Sequence, residues 1–169
     1  MYVESKVVLP IRLLQYDKRV VGFSLLLYFV VGSEVSLIHH LGHSLVCASD
    51  GFKFDIQFNP FGGFSTCYGI PHNFLLYSIL GPAFGGMISG APLSIPKLRR
   101  KRVWLIVLLA LFANEAQKIP IEAIVQMPSS IPSLHFGMSL FQYGLLGSLI
   151  LIIARKNAEE TVQRISDHT

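Results

Sequence analysis

From Ile56 to Pro96 the chain carries no Asp, Glu, Lys or Arg, and from Ala123 to Ala154 it again carries none. Each uncharged run exceeds the roughly 20 apolar residues that cross the hydrocarbon core of a bilayer. In a medium without water, every backbone N–H and C=O must be satisfied within the protein, which restricts spanning segments to helices or a closed barrel. The composition agrees: of 169 residues, 51% are apolar and 14% charged, against about 25% charged in a typical soluble domain. The sequence therefore predicts a single-domain, α-helical integral membrane protein.

Short basic clusters flank the apolar runs: Lys18 and Arg19, the K-L-R-R-K-R run from Lys97 to Arg102, and Arg155 with Lys156. Lys and Arg in short loops favour the cytoplasmic side, so placing all three there gives four spans with both termini cytoplasmic. The net charge of +4 and the pI near 9.2 are read as topology signals. No aromatic-interleaved basic patch or zinc-finger spacing accompanies them, which argues against nucleic acid as a partner. The segment from Met1 to Lys18 lacks the apolar core and cleavage site of a signal peptide, so the first hydrophobic helix is expected to be retained.

The spans are predicted at residues 20–48, 71–94, 103–119 and 134–154, with a polar tail, 155–169, as solvated helix or disorder. Asp50-Gly51 ends the first span. In F-K-F-D-I-Q-F, from Phe52, apolar residues then alternate with polar ones, and N-P-F-G-G-F-S-T supplies a turn, which predicts a small β-hairpin over 51–68. Pro120 and Pro128 predict an irregular connection before the fourth span. Non-helical backbone at membrane depth survives only when buried in protein or lining a wet cavity, so the hairpin and this connection are expected to cover something. Cys47 and Cys67, the only cysteines, read as two buried or lipid-facing thiols, or as a single bridge if both face an oxidising compartment.

Near the far end of the first span the chain reads V-S-L-I-H-H-L-G-H-S-L-V-C-A, Val35 to Ala48. His39 and His43 are four residues apart, so their side chains lie on one helical face and can reach a common metal ion. Glu34 falls on the opposite side. Three histidines in five residues, at a depth where ionisable groups are costly, mark a functional site. His72 reads as a cap or interface residue of the second helix. Gly86 and Gly90 form a small-xxx-small pair suited to close helix packing.

The segment H-H-L-G-H-S-L-V, followed by F-G-G-F and then by L-G-P-A-F-G-G in the next helix, resembles the site-2 protease family of intramembrane zinc metalloproteases. The likeness covers about Ser33 to Leu140. In that family H-E-x-G-H supplies two zinc ligands and a general base, and a later helix supplies an Asp as third ligand. The resemblance implies a Zn cofactor on His39 and His43, and hydrolysis of peptide bonds in membrane-embedded protein or peptide substrates by zinc-activated water. It places His40 where the family has its catalytic glutamate. It places His135, in L-H-F-G, near the third ligand, with Glu115 and Glu122 as competing candidates. Asn114 and Glu115 stand near the family's Asn, and Gly81-Pro82 near its groove-shaping element. An extended substrate would add a strand to the edge of the hairpin.

Because His40 replaces a carboxylate that would carry a proton to the leaving amine, a non-catalytic relative that binds membrane clients or metal is the second reading. Haem held by His43 and His135 is a third.

Overall fold

The computed structural model describes residues 17–59, 62–125 and 132–166. The chain forms α1 (Lys18–Ser49), β1 (Phe54–Asn59), β2 (Gly62–Cys67), α2 (Phe74–Gly90), a 3₁₀ turn (Ala91–Ser94), the short α3 (Pro96–Arg99), α4 (Arg102–Val125) and α5 (Pro132–Ser166). Among the described residues, four helical segments are long and apolar enough to cross a membrane: Lys18–Ser49, Phe74–Ser94, Arg102–Ile124 and Phe136–Glu160. The segment before the first span falls mostly in 1–16, and part of the expected irregular connection in 126–131; both lie outside the described residues.

Local chemistry sets the helix ends. The Asp17 carboxylate accepts the Arg19 and Val20 N–H groups and caps α1. At the other end Gly51 takes a left-handed φ of 81°, the conformation that glycine enters without steric cost, and turns the chain into the hairpin. Asn73 caps α2 by accepting the Leu76 N–H at 2.9 Å. His72, read as a possible cap, instead pairs with Asp50 across the α1–α2 connection, its Nδ1 3.3 Å from the carboxylate and its side chain mostly exposed.

β1 and β2 pair antiparallel from Phe54↔Cys67 to Asn59↔Gly62, within the predicted hairpin. The two cysteines form a disulfide, with Cα atoms 5.8 Å apart, in place of the buried or lipid-facing thiols that the sequence suggests first, and the register explains why the bridge closes. Phe52 N–H returns to the Cys47 carbonyl, so β1 starts beside the last turn of α1. Its antiparallel partner then ends at the same place, carrying Cys67 back to Cys47.

One helix runs past its expected end, and the polar tail takes the helical of its two expected forms. α4 continues through Pro120 to Val125, because proline's fixed φ suits a helix and neighbouring groups make good the lost hydrogen bond in membrane helices. α5 continues through the polar tail to Ser166, supported by Arg155–Glu159 on its own surface and by Arg102–Glu160 to the start of α4.

α1, α2 and α4 pack on one another, and α5 lies against α1 and α4. The apolar core, including Tyr28, Val35, Ile106, Val107, Ala110 and Ile150, joins α1, α4 and α5. The α1–α2 crossing is built on glycine: a Cβ on Gly42 would stand 2.5 Å from the Leu80 carbonyl oxygen, so only a hydrogen permits this approach. Gly42→Ala is expected to destabilise the protein by about 1–3 kcal/mol, the usual cost of overpacking. Gly22→Ala, with open space around it, should be neutral or stabilising. Thermal unfolding in detergent compares the two.

Candidate metal centre

Two to three turns before its end at Ser49, α1 presents His39 and His43 to the interior, 4% and 7% exposed. Their Nε2 atoms lie 3.0 Å apart. His39 Nδ1 is 2.6 Å from Glu115 Oε2, and His43 Nδ1 is 2.6 Å from the Tyr77 carbonyl oxygen. A carboxylate and a carbonyl only accept, so each imidazole places its proton on Nδ1 and donates there. In the neutral rings both Nε2 lone pairs are then turned toward the same space.

Glu122 closes the third side, its carboxylate oxygens 3.3 Å from His43 Nε2 and 3.7 Å from His39 Nε2. Lone pairs that converge without a shared proton repel one another unless a cation sits between them. Ligands about 2.1 Å from a tetrahedral zinc stand roughly 3.4 Å from each other, and the three separations here straddle that value. His39, His43 and Glu122 could therefore hold a metal ion.

Behind this group stands a second layer. Glu115, 2% exposed, also accepts from Lys118 Nζ at 2.7 Å and from Asn114 Nδ2 at 3.2 Å. The arrangement is the carboxylate–histidine pairing that fixes the tautomer of a metal ligand and raises its basicity. A buried carboxylate needs such partners, since an uncompensated charge at low dielectric costs several kcal/mol. Glycine makes the space: a Cβ on Gly81 would collide with the His43 ring, and one on Gly85 would lie 2.8 Å from Glu115 Oε2. The stripe that touches the site is thus Gly81 and Gly85. Gly90 packs on Phe112, while Gly86 has only ordinary contact.

The remaining residues singled out by sequence fall as follows. His40 is half-buried beside the pair, with ring centroids 5.1 Å from His39 and 6.3 Å from His43, and its Nδ1 is 3.4 Å from Ser65 Oγ on β2. Asn114 lies behind the site, its amide engaged with Glu115 and Gln117. Pro82 is buried in α2 next to Gly81. Glu34 is exposed, away from the histidines. His135 belongs to the first turn of α5, and its side chain is outside the described residues. Haem on His43 does not fit, because His39 Nε2 and Glu122 occupy the space in front of its Nε2.

Glu115 and Glu122 are seven residues apart, two helical turns, with Lys118 between them on the same stripe. That spacing in an apolar helix is the signal that assigns them one site. The sequence alone does not say which carboxylate faces the metal and which faces the imidazole.

No family model matches the chain, and no curated protein or solved structure matches it either.

Two outcomes test this layering. Glu115→Gln should weaken metal binding 10–100-fold, the usual effect of losing such a partner, measured by competition with a chromophoric chelator. Lys118→Met should lower stability by about 3–5 kcal/mol by leaving the Glu115 charge without its closest cation, measured by thermal unfolding in detergent.

Proposed function

We propose that the chain is a membrane-embedded zinc metalloprotease-like protein whose metal ligands are His39, His43 and Glu122 and whose reaction is hydrolysis of peptide bonds in membrane-embedded substrates. The observation that carries this reading is the convergence of two imidazole Nε2 atoms, each with its other nitrogen held by an acceptor, on one carboxylate. The sequence likeness to site-2 proteases supplies the reaction class. Zinc is favoured among metals because two imidazoles and one carboxylate, with a fourth position open, suit a catalytic zinc site.

Held there, zinc would supply Lewis acidity, activating a water and polarising a carbonyl. The chain's own groups do the rest. Glu115 keeps His39 in the tautomer that presents Nε2, and the Tyr77 carbonyl does the same for His43. His40, beside both histidines, would be the proton-exchanging group of the site. The β1–β2 hairpin, tied to α1 through Cys47–Cys67, lies against the same end of α1 and offers a strand edge to an extended substrate.

His40 favours the second reading, a non-catalytic relative. Where the family has a carboxylate, this chain has an imidazole, and it faces Ser65. The two readings share the metal and differ in turnover.

The orientation follows from charge and redox chemistry. Lys18, Arg19, Arg102 and Arg155 lie at one end of the bundle, where Asp17 N–H meets the Ala154 carbonyl and Arg102 meets Glu160. The disulfide and the histidines lie at the other. We place the basic end in the cytoplasm and the disulfide in an oxidising compartment.

Metal analysis by plasma mass spectrometry, run beside a cleavage assay on a transmembrane peptide, tests the proposal. About one zinc per chain, lost in His43→Ala and in Glu122→Ala, is expected. Cleavage by the native chain supports the protease reading, and cleavage only after His40→Glu supports the inactive relative. No zinc in either form sinks both.

A further inference from the structure

At the end of the bundle opposite the histidines, a cleft of about 810 Å³ opens between the beginning of α1, the beginning of α4 and the polar end of α5. Its two walls have different chemistry. Along α1 it is lined by Phe23, Leu26 and Val30, three and four residues apart and so on one helical face, and each is more than half exposed. At its mouth stand Arg100, Lys101 and Arg102.

Of these, Arg102 is committed, its guanidinium 2.7 Å from both Glu160 carboxylate oxygens. Arg100 and Lys101 are exposed and enter no ion pair among the described residues. They sit where the apolar part of α4 begins, the level of a bilayer at which lipid phosphates lie. A groove that is apolar along its length and cationic at one end matches a molecule with an acyl chain and an anionic head.

We propose that this cleft is a binding site for one anionic glycerophospholipid, its phosphate and headgroup held by Arg100 and Lys101 and one acyl chain laid along Phe23, Leu26 and Val30. Charge complementarity at the mouth of an apolar groove would supply the selectivity. An apolar groove alone would take any lipid of the annulus. Two cations at its mouth that enter no ion pair among the described residues add a preference for the anionic ones, since each Lys or Arg near a membrane surface favours anionic lipid measurably. Glu160 does not counter this preference, because Arg102 neutralises it. The site does not depend on the metal centre.

Trp104 lines the cleft and is the single tryptophan of the chain, so its fluorescence reports on the site directly. The full chain is reconstituted in phosphatidylcholine vesicles that contain a minor fraction of either phosphatidylglycerol or phosphatidylcholine with brominated chains, which quench tryptophan on contact. The brominated phosphatidylglycerol should reach half-maximal quenching at a mole fraction on the order of 30-fold lower, the combined preference of two basic residues. Arg100→Gln with Lys101→Gln should abolish the difference while leaving quenching by the zwitterionic lipid unchanged. If the double variant fails to fold, each single variant should lose part of the preference. Equal quenching by both lipids in the native chain would overturn the proposal, leaving only annular contact. Loss of the preference on adding glycerol phosphate would also overturn it, because the cations would then bind a free phosphate and not a lipid.

Discussion

A carboxylate buried in an apolar helix bundle is unstable by itself, and the architecture around Glu115, 2% exposed, consists of the groups that make it stable. Lys118 on the next turn of α4 supplies a cation, Asn114 an amide hydrogen and His39 an imidazole N–H. Each partner is then constrained in turn. Once His39 donates through Nδ1, its Nε2 has a lone pair and no proton, and that lone pair points at His43. His43 is in the same condition because the Tyr77 carbonyl accepts its Nδ1–H. One buried carboxylate and one backbone carbonyl thus set the tautomers of a histidine pair at the junction of α1, α2 and α4.

Close approach is the second requirement, and it is met by residues without side chains. The Tyr77 carbonyl reaches His43 only because α1 and α2 touch at Gly42 and Gly81, and Glu115 enters the same space because Gly85 leaves it vacant. In lipid, where burial of apolar side chains gives no driving force between helices, such contacts and the polar groups they permit hold the bundle together. Packing and chemistry are one feature here: the glycines that make the helix interface are those that make room for the imidazole and the carboxylate.

Much of this arrangement was legible in the sequence, and its limits have physical causes. The uncharged runs announce spans because lipid admits few alternatives, and His39 with His43 announce a shared face because four residues make about one turn. The hairpin was legible from its alternation. The end of α4 was not, since proline in a membrane helix loses one hydrogen bond without necessarily breaking the helix, and it is the extra turn beyond Pro120 that carries Glu122 to the histidines. Nor could sequence decide between disulfide and thiols, because that depends on the register of β2, which brings Cys67 back to the end of α1. Glu115 and Glu122 were both visible as candidates. Their division into one carboxylate behind the imidazole and one in front is a property of helix rotation, fixed by the packing of α4 against α1 and α2.

The same packing separates the molecule into two chemically distinct ends joined by α1. Its 32 residues extend roughly 48 Å at 1.5 Å per residue, more than a hydrocarbon core of about 30 Å, so the helix tilts or projects beyond it. Its first turns carry the apolar wall of the cleft beside the basic cluster, and its last turns carry His39, His43 and Cys47. A helix of that length would be free to slide along its axis in a bilayer if nothing fixed its depth. Here both ends of α1 carry groups that resist such sliding, the basic cluster beside its first turns and the disulfide-bonded hairpin beside its last. Between them, two to three turns from the end of α1, His39 and His43 are packed against α2 and α4 and are only 4% and 7% exposed. Their polar atoms must therefore find partners within the bundle, and Glu115, Glu122 and the Tyr77 carbonyl are those partners.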